Sequence, residues 1–150
     1  MKTQKNIHSN SVLRRARTMK PNLIAPCGMN CRLCVGYIRE KNTCQGCFMV
    51  DAYKTISRSG CIIRNCEKRK KLKTKFCYDC DTFPCTRMKS LDKRYKAKYS
   101  MSMIENQEFL KQFGIRKFIQ KEKEKWACPD CGQLLSVHRD NCPSCNHKWR

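Results

Sequence analysis

A helical period of apolar and polar positions runs through one stretch of the chain and is absent elsewhere. Met88, Leu91, Tyr95 and Tyr99 recur at i, i+3, i+7 and i+11, which puts them on one stripe of a helix flanked by Arg87, Lys89, Lys93, Arg94, Lys96 and Lys98. The segment SMSMIENQEFLKQFG comes next. Ser102 with Glu105 three residues later forms a capping box, and Gly114 supplies a stop, so the pattern predicts a helix over about 103–113. Ile115, Phe118, Ile119, Glu122 and Trp126 repeat the stripe in a third segment, with Glu122 as an acidic interruption. Together, residues 88–125 are expected to form a small helical segment whose apolar stripes meet.

Elsewhere the apolar content is thin. Residues 1–22 hold Lys2, Lys5, Arg14, Arg15, Arg17 and Lys20, no acids and few apolar residues, and are expected to be a flexible basic arm. Residues 23–87 hold ten cysteines and only scattered apolar side chains. A module that size with so little core needs cross-links of some kind to fold.

Composition narrows what those cross-links are. The chain has 150 residues and 14 cysteines. The first 22 residues lack the apolar core of a signal peptide, and there is no apolar run of membrane-spanning length. A cytoplasmic location without membrane association is therefore expected, where thiols stay reduced and clustered cysteines hold metal. The closing segment WACPDCGQLLSVHRDNCPSCNHKW carries two C-x2-C turns, each opening with Cys-Pro. This spacing reads as a zinc ribbon over residues 126–150, with Cys128, Cys131, Cys142 and Cys145 as ligands and a short hairpin through Leu134, Leu135 and Val137. Four cysteines fill that site, so His138 is expected to be a surface hairpin residue, and His8 and His147 receive no role.

The remaining cysteines are Cys27, Cys31, Cys34, Cys44, Cys47, Cys61, Cys66, Cys77, Cys80 and Cys85. Pairing sequence neighbours gives one site from Cys31, Cys34, Cys44 and Cys47 and another from Cys61, Cys66, Cys77 and Cys80; other partitions remain open. Cys27 and Cys85 are left over, as ligands of a further site, buried small apolar residues or reactive thiols. Cys85 follows Pro84 at an expected helix start, where the dipole and Arg87 favour a thiolate. About three zinc ions are expected in all, with an iron–sulfur cluster the alternative for residues 23–87. The C-x3-C-x2-C run of Cys27, Cys31 and Cys34 also fits the cluster loop of a radical enzyme, but seven further cysteines in the next fifty or so residues leave no room for the barrel such enzymes need. The resulting fold class is a small metal-stabilised α+β protein: a cysteine-rich zinc-binding module with short helices, a small helical segment and a C-terminal zinc ribbon.

Charge points to a partner. Lys and Arg number 33 against 12 Asp and Glu, a formal net charge of +21. Three four-thiolate zinc sites would lower this by about 6, so a large excess survives. Residues 1–22, 67–76 and 87–98 hold most of the concentrated charge. Lys68, Arg69, Lys70, Lys71, Lys73, Lys75, Lys93 and Arg94 are the candidate contacts to RNA or DNA, with Phe76, Tyr78, Phe83, Tyr95 and Tyr99 as candidate stacking residues. The ribbon is nearly neutral and suits a protein partner, through Trp149 and the Leu134/Leu135 pair. No phosphate-cradling glycine loop, G-x-S-x-G elbow or H-E-x-x-H motif occurs, and closed structural metal sites leave no open position for an activated water, so no enzymatic activity is expected. Sequence sets no oligomeric state.

The segments IAPCGMNCRLCVGYIREKNTCQGC, CIIRNCEKRK, FCYDCDTFPC, LDKRYKAKYSMSMIENQEF and WACPDCGQLLSVHRDNCPSC together resemble the cysteine-rich family called domain of unknown function 3795, in a longer form that ends in a zinc ribbon. The resemblance covers about residues 23–150. It implies a small prokaryotic metal-binding protein with no assigned activity. Shorter relatives tend to carry a further cysteine three residues before the position of Cys61, where this chain has Arg58.

Overall fold

The computed structural model describes residues 18–49 and 59–150. The expected arm therefore lies outside the described residues up to position 17, as does Arg58. Its last residues depart from expectation. Met19 is buried, its sulfur accepts a hydrogen bond from Asn30 Nδ2 at 3.3 Å, and Pro21–Leu23 form a 3-10 turn that buries Leu23. These two apolar side chains are enough to anchor a segment whose charge alone suggested free solvation.

Four α-helices are defined among the described residues: α1 (Val35–Ile38), α2 (Glu67–Lys70), α3 (Thr86–Tyr99) and α4 (Met103–Lys125). The cysteine-rich part is built from turns, with further 3-10 turns at Cys31–Leu33 and Cys77–Asp79. No β-strand forms among the described residues; the β component is three isolated antiparallel bridges, Ile24 with Asn30, Ala127 with Leu134 and Asn141 with Lys148. The hairpin expected through Leu134, Leu135 and Val137 is thus a pair of bridged turns. No helix among the described residues is long and apolar enough to cross a membrane.

The second and third predicted helices are one element with a break. Ser102 Oγ accepts from Glu105 N–H at 3.1 Å, as the capping box requires. Gly114 interrupts the helix at φ 82°, ψ 168°, a conformation that a side chain would strain. Before the break Met103, Asn106, Gln107 and Leu110 face inward; after it Phe118, Ile119 and Glu122 do. Three of these seven are polar, and each has a structural consequence.

Asp92, on the charged side of the predicted α3 stripe, is also buried. Its carboxylate accepts from Ser102 Oγ at 2.6 Å and Ile104 N–H at 3.1 Å and pairs with Lys96 at 3.0 Å, which fixes the corner between α3 and α4. Burial alone would raise this carboxyl, but the bonds from Ser102, Ile104 and Lys96 outweigh it and hold the pKa below the ordinary value. A lowered folded-state pKa gives stability that is complete above the unfolded value, near 3.9, and disappears as pH falls through the folded one. Asp92→Asn should cost about 2 kcal/mol at pH 7. Urea titrations at several pH values should show the gap from the parent narrowing below about pH 4.

Glu122 has the opposite sign. Burial pushes its carboxyl up, against the pull of Lys125, Asn30 and Lys121, and Oε2 lacks a hydrogen-bond partner. A raised folded-state pKa means that ionisation at neutral pH opposes folding, with stability lost as pH rises through the unfolded value. Glu122→Gln should raise stability at pH 7 by about 1 kcal/mol, an advantage that fades below about pH 4.

A continuous apolar core joins the cysteine-rich part, the helices and the ribbon among the described residues. Ile24, Leu33, Met88, Met103, Phe118 and Val137 are each almost wholly buried within it. The cysteine-rich module therefore shares its interior with the helical segment and the ribbon.

Candidate metal centres

The ribbon is two copies of one turn, fourteen residues apart in sequence. Cys128 N–H donates to Gln133 O at 2.7 Å, Gly132 N–H to Cys128 O at 2.8 Å, and Leu135 N–H to Trp126 O at 2.8 Å. The second copy repeats this with Cys142 to His147 O at 2.8 Å, Asn146 to Cys142 O at 3.0 Å, and Trp149 to Asp140 O at 3.0 Å. Gly132 and Asn146 hold matching positive φ values of 70° and 64°, which glycine and asparagine tolerate best. Each turn thereby aims two sulfurs at the other.

The sulfurs of Cys128, Cys131, Cys142 and Cys145 all lie within 4.8 Å of one another. Cys128 and Cys145 are 3.6 Å apart, Cys131 and Cys142 3.7 Å. Four thiolates around an ion at about 2.3 Å stand about 3.8 Å apart, so the set fits tetrahedral zinc. Main-chain N–H groups support negative charge on sulfur. Ser144 N–H donates to Cys142 Sγ at 3.4 Å. The Gln133 N–H lowers the Cys131 thiol to about 7 against the effect of burial. Burial acts upward on Cys128, but the N–H groups of Cys131 and Asp130 bring it below its usual value. The His147 N–H pulls Cys145 down, yet burial and the neighbouring thiols carry it up to about 12. A bound cation favours the thiolate at all four.

All fourteen cysteines lie within the described residues, and none forms a disulfide. The structure groups the other ten differently from their order in sequence. Cys31, Cys34, Cys44 and Cys47 share one cavity, as neighbour pairing suggests, but Cys27 and Cys61 line it too. Cys85 lies near Cys77: burial pushes the Cys77 thiol up to about 12, and the nearby thiols of Cys85, Cys66 and Cys80 add to this while Arg69 opposes it. Cys27 in turn is raised mainly by burial, with Cys47, Cys61 and Cys77 nearby. Cys27 and Cys85 each stand beside other thiols. Cys85 occupies the N-cap of α3, as expected.

Two residues of α4 hold the cysteine turns, and sequence reading missed both. Gln107 Nε2 donates to Pro26 O at 2.9 Å while its Oε1 accepts from Tyr78 N–H at 2.8 Å, which ties the Cys27 turn to the Cys77 turn. Asn106 Nδ2 donates to Gly28 O at 3.0 Å. Gly28 sits at φ 94°, and a Cβ there would lie 3.1–3.2 Å from Gln107, Asn106 and Met103. The legible signal was only that Asn106 and Gln107 interrupt an apolar stripe at inward positions.

The ribbon docks directly behind the Cys31 and Cys34 turn. Leu33 O accepts from both Val137 N–H and Ser136 Oγ at 3.0 Å. His138, expected at the surface, instead accepts from Val35 N–H at 3.3 Å through Nδ1 and lies 3.0 Å from Tyr95 Oη through Nε2. Because Nδ1 accepts, Nε2 carries the proton and donates to the tyrosine. Tyr99 packs edge-on against the same ring at 4.8 Å. Tyr95 and Tyr99, candidates for stacking on bases, are thus engaged with the ribbon. Trp149 is similarly occupied, half-buried edge-on against Trp126 at 5.5 Å with Arg150 over its ring.

Of the candidate nucleic-acid contacts, Arg69 turns inward. It is buried and donates to Lys75 O at 3.2 Å and Arg64 O at 2.5 Å, bracing the loop after α2. Lys68 pairs with Asp81 at 3.4 Å and Lys70 with Glu67 at 2.9 Å, both at the surface, and Lys75 bonds the Lys70 carbonyl. Lys71, Lys73, Lys93 and Arg94 are exposed.

These features define a cysteine-rich protein with a tetrathiol site able to hold a metal ion. The family described as Protein of unknown function (DUF3795) matches residues 23–90, the DUF3795 module, and the match ends before the ribbon. No curated protein and no solved structure matches the chain.

Proposed function

We propose that the chain is a metal-stabilised scaffold of the reducing cytoplasm, with zinc in its ribbon and thiolate-bound metal in its DUF3795 module, that presents basic surface to RNA or DNA. The observation that carries the metal reading is the ribbon's four sulfurs, within 4.8 Å and supported by main-chain N–H groups. All four positions are protein thiols, the closed arrangement of a structural site. Charge supports the nucleic-acid reading: the net excess is +21, and exposed Lys71 and Lys73 after α2 and Lys93 and Arg94 on α3 supply it close to the cysteine turns.

Metal analysis of protein purified without oxygen tests the first half and is expected to show one zinc that is lost with the ribbon cysteines. Titration with a fluorescent single-stranded oligonucleotide tests the second. Neutralising Lys71, Lys73, Lys93 and Arg94 to glutamine should weaken binding at least tenfold at low salt and flatten its dependence on salt concentration. Affinity indifferent to these four residues would leave the metal scaffold and remove nucleic acid as the partner.

A further inference from the structure

The cavity of the DUF3795 module differs from the ribbon in sulfur number, sulfur spacing and room. It measures about 570 Å³ and is lined by Cys27, Cys31, Cys34, Cys44, Cys47 and Cys61. One tetrahedral ion takes at most four of these six thiolates. In the ribbon four ligand atoms already stand at single-ion spacing; among the described residues no other three do so. Within the cavity Cys31 and Cys47, 3.7 Å apart, are at that spacing. Gathering four sulfurs around one ion would require the walls to fold inward.

Those walls are fastened. Ala25 N–H bonds Met29 O at 2.7 Å, Cys34 N–H bonds Cys31 O at 3.1 Å, and Cys44 N–H bonds Gly36 O at 2.7 Å. Asn106 and Gln107 hold the Cys27 turn from α4. On the far side, Arg87 Nη1 donates to Ile62 O at 3.4 Å and keeps the Cys61 segment against α3.

We propose that this cavity holds a polynuclear metal–sulfur cluster, two or more thiophilic ions linked through bridging sulfur. Two tetrahedral ions that share two of their ligands use all six thiolates; an iron–sulfur cluster uses four, leaves two in the wall, and takes its bridges from inorganic sulfide, so its thiolates stand farther apart than those of a single ion. Both are thiolate-held metal ions joined through sulfur and differ in whether the bridge is cysteine or sulfide. Either assembly is anionic, about −2 for two divalent ions with six thiolates. Arg87 and Arg94 line the same cavity and supply compensating charge. The proposal extends the metal-scaffold reading to a second place in the chain and does not depend on the ribbon's ion.

X-ray absorption on the full-length chain, purified without oxygen and measured at the edge of each metal found, tests it. A metal–metal scattering shell beside the metal–sulfur shell is expected. Brown protein with iron and acid-labile sulfide identifies an iron–sulfur cluster, and colourless protein with a zinc–zinc shell identifies a zinc–thiolate cluster; both support the proposal. Metal–sulfur shells alone, or no metal beyond the ribbon's single ion, overturn it. The double variant Cys31→Ser, Cys47→Ser should lose the metal–metal shell and at least two metal ions per chain while the ribbon retains its own. Loss of a single ion or of none overturns the proposal. Should that variant not fold, the unmodified chain's scattering still decides.

Discussion

Serine at both Cys128 and Cys142, one ligand from each ribbon turn, is expected to remove one metal ion per chain and to open the ribbon. The physical reason is that each turn is closed by its own main-chain bonds, whereas only side chains connect one turn to the other. Each is closed by main-chain bonds among residues a few positions apart, and no strand ladder crosses between them; Ala127 with Leu134 and Asn141 with Lys148 are bridges within a turn. What joins the turns is the sulfur set, together with the contact of Trp126 on Trp149, the pair of His147 Nδ1 with Asp130 at 2.8 Å and the bond from Arg150 Nη1 to Val137 O at 3.2 Å. Without a cation, four sulfurs at such short range favour separation once they ionise. The chain's two tryptophans are these same residues. Intrinsic fluorescence is therefore a direct report, and its emission should shift to longer wavelength in the variant, or in the parent after chelation, and recover when zinc is returned to the parent. The docking of Val137 and Ser136 on Leu33 should weaken with it, exposing the back of the Cys31 turn. Unchanged emission with unchanged metal content would remove the ribbon as a metal site.

Gln107→Met is expected to be the most costly single substitution outside the cysteines. The side chain is fully buried and satisfies one carbonyl and one N–H on two different cysteine turns. Methionine fills similar space and offers neither bond, so Tyr78 N–H and one site on Pro26 O are left unpaired in the interior, about 3 kcal/mol together. Pro26 O keeps its bond from Cys77 N–H at 3.1 Å, which limits the loss at that group. Because the same amide sets the distance between the Cys27 and Cys77 turns, metal bound by the DUF3795 module should fall as well. Gln120→Met, exposed on the same helix, provides the control and should change neither stability nor metal content. Equal effects at both positions would show that helix composition, rather than the bridge, is responsible.

Short-range chemistry was legible throughout. The ribbon's Cys-Pro turns, the Ser102 cap and the Gly114 break each depend on residues a few positions apart, and each appears where the pattern places it. The α3 stripe of Met88, Leu91, Tyr95 and Tyr99 faces inward for the same reason. Asp92 was unreadable because nothing local distinguishes a carboxylate that caps a neighbouring corner from one that faces water. Arg69 was misread on similar grounds: among the six basic residues between positions 68 and 75, only the carbonyls of Arg64 and Lys75 single it out. His138 passed for a surface residue because its partners, Val35 and Tyr95, are 103 and 43 positions away.

By itself the sequence determined that metal-ligand turns would form, where the helices begin and break, and that the chain carries a large positive excess. These follow from backbone preference, side-chain spacing and charge, which act over a turn or two or simply add along the chain. Only the tertiary structure decided which thiols share a space, that Cys27 and Cys61 line a cavity with Cys31, Cys34, Cys44 and Cys47, that Cys85 stands near Cys77, and that Gln107 ties the Cys27 turn to the Cys77 turn. Sulfurs are grouped by distance in space, and that distance is set where α4 and the ribbon press the cysteine turns together through a common apolar core.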